Sequence, residues 1–205
     1  MPESLIQAAP DSSGKKVHTW QRTIGANNVE DEFTIPGEYP YASYSVDSGN
    51  VSAATAASHL LQVMAGASLP VRIRRIRIEQ FANATTGAAM ALSITRLSTA
   101  GTGGTAVTPR PFDTTDAAAG ATAMTLPTVK GTETVSIFEM VLTMRQTVAA
   151  AGTQPDDFWE WTQLPNTKPI IIPAGAANGI CIKNGTAIAA GTVIVTVELV
   201  ETNFV

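Results

Sequence analysis

Beyond about residue 50 the chain alternates apolar and polar side chains with the two-residue period of strands, and no stretch carries the 3.6-residue period of an amphipathic helix. Val71 to Phe81 (VRIRRIRIEQF) alternates with a single fault: Val71 and Ile73 share one parity, Ile76 and Ile78 the other. All four point inward only if one extra residue is absorbed at Arg74-Arg75, which predicts a β-bulge there. Ala88 to Leu97 places Met90, Leu92 and Ile94 on one face. Thr134 to Arg145 does the same with Phe138, Met140, Leu142 and Met144, and Gly191 to Val200 with Val193, Val195, Val197 and Leu199. His59 to Ala67, Phe158 to Thr162, Lys168 to Ile172 and Gly179 to Lys183 complete a set of about eight strands bounded by Gly, Pro, Thr and Asn. Such a set closes as an all-β, antiparallel two-sheet sandwich. The jelly roll is the first topology expected and an immunoglobulin-like sandwich the second. The connections Thr99 to Thr128 and Thr147 to Pro155 are too long for hairpin turns and read as contact-bearing surface loops, with Gly101-Thr102-Gly103-Gly104 as a flexible turn.

Residues 1–49 lack this period. They are polar, with the isolated aromatics Trp20, Phe33, Tyr39, Tyr41 and Tyr44, and read as an extended N-terminal arm that docks on its own domain or on a neighbour, ahead of a sandwich domain at 50–205. Tyr39-Pro40-Tyr41 is held extended by the proline.

Composition supports this division. The 205 residues are 44% apolar and 15% charged, and 31 Ala and 27 Thr stand beside 16 Gly and 12 Pro, a palette for strands, turns and close contacts. No run nears the roughly 18 apolar residues of a membrane span, and MPESLIQAAPDSSGKK has no basic segment followed by an apolar one, so neither membrane insertion nor secretion is expected. The single Cys181 cannot form an internal disulfide, and two histidines, His18 and His59, offer little for a metal; no metal or cofactor is expected.

The sequence carries no nucleophile elbow, zincin motif, phosphate-binding loop or EF-hand. Asp156, Asp157 and Glu160 beside Trp159 and Trp161 are the closest approach to a hydrolase pair, but adjacent acids at a loop-to-strand junction are far more often a solvated turn, which is how they read here. His59 reads as a strand-end or core residue. An enzyme is therefore not expected.

Charge is unevenly spread. The chain sums to −4, yet residues 72–110 hold six Arg (Arg72, Arg74, Arg75, Arg77, Arg96, Arg110) against Glu79, a net +5, while 1–71 sum to −4 and 111–205 to −5. No aromatic interleaves with the stripe, which argues against nucleic acid. It reads either as a patch meeting acidic partners, including neighbouring copies, or as an edge strand kept from aggregating by its arginines.

Three stretches together, HLLQVMAGASLPVRIRRIRIEQ (His59 to Gln80), ALSITRLSTAGTGGTAVTPRPFD (Ala91 to Asp113) and KPIIIPAGAANGICI (Lys168 to Ile182), resemble virion structural proteins of tailed bacteriophages, in particular jelly-roll capsid cement or decoration proteins. The resemblance implies a subunit, often a trimer, that binds the major capsid protein on the outside of an icosahedral shell after synthesis in the bacterial host. It supplies no active-site motif. Candidate contact residues come from chemistry alone: Trp20, Phe33, Tyr39, Tyr41, Tyr44, Arg72, Arg74, Arg75, Arg77, Trp159 and Trp161. The alternative is a receptor- or carbohydrate-binding module of a tail fibre or spike, with Trp159 and Trp161 stacking on sugar.

Overall fold

A computed structural model describes the backbone of residues 3–7, 16–24 and 27–32, and in full residues 41–145 and 158–202 apart from Thr86 and Asn166. The chain divides into two units, Met1–Pro40 and Tyr41–Val205. In the first, β1 (Glu3–Gln7), β2 (Lys16–Ile24) and β3 (Asn27–Glu32) form an antiparallel sheet in the order β1-β2-β3. The segment read as irregular thus carries backbone-paired strands, with Trp20 opposite Glu3 on one side and Asp31 on the other.

The second unit contains β4 (Ser43–Asp47), β5 (Val51–Ser52), β6 (His59–Met64), β7 (Val71–Ala82), β8 (Ala88–Leu97), β9 (Thr105–Val107), β10 (Arg110–Pro111) and β11 (Thr122–Thr125). These are followed by β12 (Glu133–Met144), β13 (Phe158–Thr162), β14 (Ile170–Ile172), β15 (Gly179–Asn184) and β16 (Thr192–Glu201). One sheet runs β10-β4-β16-β7-β13, with β14 also on β7 and β5 on β16; the other runs β12-β8-β15-β6-β11-β9. All pairings are antiparallel and there is no helix among the described residues.

The long pairs are nested. β4 pairs β16, β6 pairs β15, β7 pairs β13 and β14, and β8 pairs β12, so the chain is a ribbon doubled on itself and wrapped until successive pairs fall in opposite sheets. That is the jelly roll, the double-sheet solution to edge exposure. Its interior is one core of inward-facing residues from both sheets. Val193, Val195, Val197 and Leu199 of β16 and Val71, Ile73, Ile76 and Ile78 of β7 are all buried, and each such side chain contributes about 1.5–3 kcal/mol by leaving water.

The bulge lies where the sequence placed it. Glu198 pairs with Arg75 and Leu199 with Ile73, so Arg74 is the extra residue. It also marks the break between β13, whose last pair is Thr162 with Arg75, and β14, whose first is Ile170 with Ile73. The expected strands at 158–162 and 168–172 are therefore two halves of one lane.

Several expectations change. The sandwich begins at residue 41, not 50: β4 sits between β10 and β16, and Tyr44, read as an arm aromatic available for contact, is 2% exposed, with its hydroxyl donating to Ala117 O at 2.9 Å. The connection from Thr99 to Thr128, expected as a surface loop, carries the short strands β9, β10 and β11. The arginine strand β7 is no edge; it is flanked by β16 on one side and by β13 and β14 on the other. In β12 the inward parity persists for Leu142 and Met144, but register shifts between Glu133 and Phe138 leave the first half of the strand largely exposed.

Candidate assembly surface

Arg75, Arg77 and Glu79 point outward from the seven-stranded sheet, the face opposite to buried Ile76 and Ile78. Neighbouring strands bring acids to them. Arg75 donates through Nε and Nη2 to Glu160 Oε2 of β13, at 3.1 and 2.7 Å, and through Nη1 to Glu198 Oε1 of β16 at 3.1 Å. Arg77 pairs with Glu79 and places its guanidinium over the Phe158 ring, 4.7 Å from the centroid. The hydrogen bond from Arg75 holds the Glu160 carboxyl below its usual range, and the same bond raises the Arg75 guanidinium. Two arginines of the basic stripe are thus paired within the chain, Arg75 by carboxylates 85 and 123 residues away and Arg77 by nearby Glu79. Arg72 and Arg74 make no ion pair among the described residues. Glu160 of the would-be hydrolase pair is committed to Arg75, while Asp156 and Asp157 lie outside the described residues.

Trp159 and Trp161 alternate with Phe158, Glu160 and Thr162. Their register opposite Ile78 and Ile76 turns both indoles toward the core, against which they pack half-buried. They plug the side of the sandwich where the sheets end in β12 and β13. There Phe138 of one sheet meets Trp161 of the other, centroids 6.1 Å apart and planes at 49°. A cleft of about 740 Å³ opens beside them, walled by Ile137, Phe138, Trp161, Leu164 and Ile170 and rimmed by Arg96, Glu160 and Lys168. Leu164 is 66% exposed, Phe158 54% and Phe138 36%. Phe138 and Leu164 line the cleft while Phe158 lies on the outer face under Arg77, and exposed apolar groups at edge strands that pair with no further strand among the described residues mark an interaction surface more often than an ordinary monomer surface.

The contact residues expected from sequence are therefore scattered. Arg75, Arg77, Trp159 and Trp161 come together on β7 and β13; Arg72 shares their sheet; exposed Arg74 occupies the bulge; Tyr41 is half-buried at the start of the sandwich; Tyr44 is core. Trp20 is placed only by its backbone on β2, and Phe33 and Tyr39 lie outside the described residues. Phe138, Phe158 and Leu164 were missed as surface. Phe138 keeps the inward parity of Met140 and Leu142, so only its position at the open end of the sandwich exposes it.

A polar knot occupies the outer face of the six-stranded sheet. Leu60 is bulged out of the β6–β15 pairing, so His59 and Gln62, three residues apart, reach the same face. His59 Nε2 lies 2.9 Å from Glu133 Oε1, and Lys183 Nζ donates to Glu133 Oε2 at 2.7 Å. Gln62 Nε2 lies 2.5 Å from His59 Nδ1, and Gln62 Oε1 accepts from Gly101 N at 2.9 Å. Burial pushes the His59 pKa below 6.5 despite the opposing bond to Glu133. Burial also works against the Glu133 carboxylate, but His59 and Lys183 outweigh it and hold its pKa down. Beside this knot Met64, Leu97 and Cys181 form a small second core, and burial pushes the Cys181 thiol up to about 12.

The connections 98–104 and 126–132 cover that face, joined by a Thr102–Val129 bridge and by Ser98 N donating to Thr132 O. Gly101 belongs to this cover because there is no room for more: a Cβ would lie 2.8 Å from Gln62 Nε2, Pro127 Cβ and Val129 O. The glycine-rich turn read as flexible is packed.

Among the described residues no three His, Cys, Asp or Glu side chains gather in a way that would hold a metal ion. Arg75, Glu133 and Glu160 owe their shifts to the salt bridges they form, and Tyr44 and Cys181 owe theirs first to burial. Compared with known proteins, the chain matches no family model, no curated protein and no solved structure.

Proposed function

We propose that the protein is a non-enzymatic structural subunit of a phage capsid, a cement or decoration protein that binds the major capsid protein on the outer surface and stabilises the shell, as a homo-oligomer of the trimeric kind. The observation that carries this reading is the open side of the sandwich, where Phe138, Trp161 and Leu164 line an apolar cleft beside β12 and β13, which end their sheets among the described residues. Such a surface gains by being covered, and contacts repeated around a symmetric ring sum to high avidity even when each is modest. The jelly roll supports the reading by analogy only, since capsid and lectin domains share it and a fold leaves function open. The phrasing of His59 to Gln80, Ala91 to Asp113 and Lys168 to Ile182 adds the resemblance to phage head proteins.

A second reading, carbohydrate recognition on a tail fibre or spike, is favoured by Trp161 in a cleft rimmed by Arg96, Glu160 and Lys168. One experiment separates the two. Light scattering gives the mass of the purified protein, and sedimentation with empty phage heads gives its binding. A stable oligomer that co-sediments stoichiometrically, and a Phe138→Glu variant that stays folded but loses association, are the expected results. A monomer that ignores heads overturns the proposal, and glycan binding abolished by Trp161→Ala moves the assignment to the second reading.

A further inference from the structure

The hydrogen-bond chain through His59 has a fixed polarity. At one end stands a backbone N–H, that of Gly101, which can only donate; at the other a carboxylate, Glu133, which accepts. Because Gln62 Oε1 accepts from Gly101, its Nε2 is the donor toward His59, and Nδ1 of the imidazole must accept. His59 is therefore neutral with its proton on Nε2, given to Glu133. Every link is set by its neighbour, and the last link ties the 98–104 segment to the sheet.

We propose that His59 is an acid sensor that unlatches the cover formed by residues 98–104 and 126–132: a proton on Nδ1 turns the Gln62 amide and breaks its bond to Gly101. The imidazolium has donors at both nitrogens. Its Nε2–H keeps the Glu133 bond, and its Nδ1–H meets the NH2 of Gln62, donor against donor. Rotating the amide by half a turn satisfies Nδ1–H with Oε1 and sets the NH2 against the Gly101 N–H, which loses its only acceptor in the latch. A buried donor without an acceptor favours opening of whatever covers it.

The cover is built to give way. Leu126, whose N–H donates to His59 O at 3.1 Å, sits at φ 45°, a left-handed conformation costly for a branched side chain. The charged groups facing the imidazole are Glu133 from β12, Lys183 from β15 and Lys130 from the cover itself, whose Nζ donates to Ala57 O. The two lysines oppose the incoming proton and Glu133 favours it, while burial delays protonation to below the ordinary imidazole range. Glu133, held below the usual carboxylate range, is still ionised when the imidazole charges. Opening uncovers Met64, Leu97 and Cys181, an apolar surface that acid would present to a partner.

Cys181, fully buried when the cover is closed, reports the step. Its labelling by 4,4′-dithiodipyridine, normalised to glutathione at each pH, should rise about tenfold between about pH 7.5 and about pH 5, the range in which one buried donor loses its acceptor as an imidazole charges. Gln62→Met removes the relay, so its labelling should be fast at both pH values and show no step. Flat labelling of the native protein, or a full step retained in Gln62→Met, overturns the proposal. Should that variant not fold, the native protein decides: NMR must show Gly101 amide protection falling with the midpoint of the His59 titration, and protection that is constant or falls with another midpoint refutes the mechanism.

Discussion

Deleting Arg74 tests the central link between sequence and fold. Arg74 is the bulged residue that lets Val71 and Ile73 face inward together with Ile76 and Ile78 although their parities differ. Without it β7 pairs with β16 without a break from Val71 to Gln80, and one end of that stretch must turn over. The shorter end is the cheaper, so Val71 and Ile73, both fully buried between β16 and β14, would face outward and Arg72 inward. Two large aliphatic side chains returned to water cost roughly 3–6 kcal/mol. Burying the Arg72 guanidinium adds to that. Against a total stability of about 5–15 kcal/mol, the loss is crippling. At roughly 2–4 °C per kcal/mol for a chain of this size, melting should fall by roughly 6–24 °C.

The control is Arg74→Ala. The side chain is exposed and makes no ion pair among the described residues, so its removal should change stability by no more than about 0.5 kcal/mol. The substitution also keeps the Arg74 carbonyl, which accepts from Gln163 N at 2.9 Å where the chain leaves β13. Urea unfolding followed by tryptophan fluorescence compares the two, with an unchanged slope confirming that only stability moved. A deletion no more harmful than the substitution would refute the argument, because it would mean that the alternation of β7 does not specify its register.

Two further outcomes follow from the site geometry. Gly101→Ala should cost about 1–3 kcal/mol by overpacking, since the Val129 carbonyl cannot retreat from a Cβ at 2.8 Å, and a neutral result in thermal melts would show the cover to be loose. Glu160→Gln should lower the melting temperature only slightly, because both partners of its bridge to Arg75 are about a third exposed and Glu198 keeps its own bond to Arg75; the difference should vanish in concentrated salt, and a large drop that persists in salt would refute the weak-bridge reading.

What the sequence made legible and what it hid divide along one physical line. Alternation is local, so β7, β8, β16 and the bulge could be read from spacing alone. Strand 43–47 could not, because SYSVD offers only Tyr44 and Val46 as inward positions, and their burial depends on β16, some 150 residues later. The eight strands expected differ from the two sheets in three ways: β4 lies in the segment read as arm, β13 and β14 share one lane, and β9, β10 and β11 extend the sheets within a connection read as loop.

The arginine stripe shows why segregation along a sequence is not segregation in space. Antiparallel wrapping sets β7 between β16 and β13, so Arg75, one of the six arginines of residues 72–110, meets Glu198 and Glu160 from the acidic 111–205 segment, and its charge ties three strands together instead of facing a partner. The same wrapping leaves apolar groups uncovered on the far edges. On the readings proposed above, recognition falls to the surfaces that pairing does not reach: the cleft between β12 and β13, where rings of both sheets meet water, and the cover over β6 and β15, held shut while His59 is neutral.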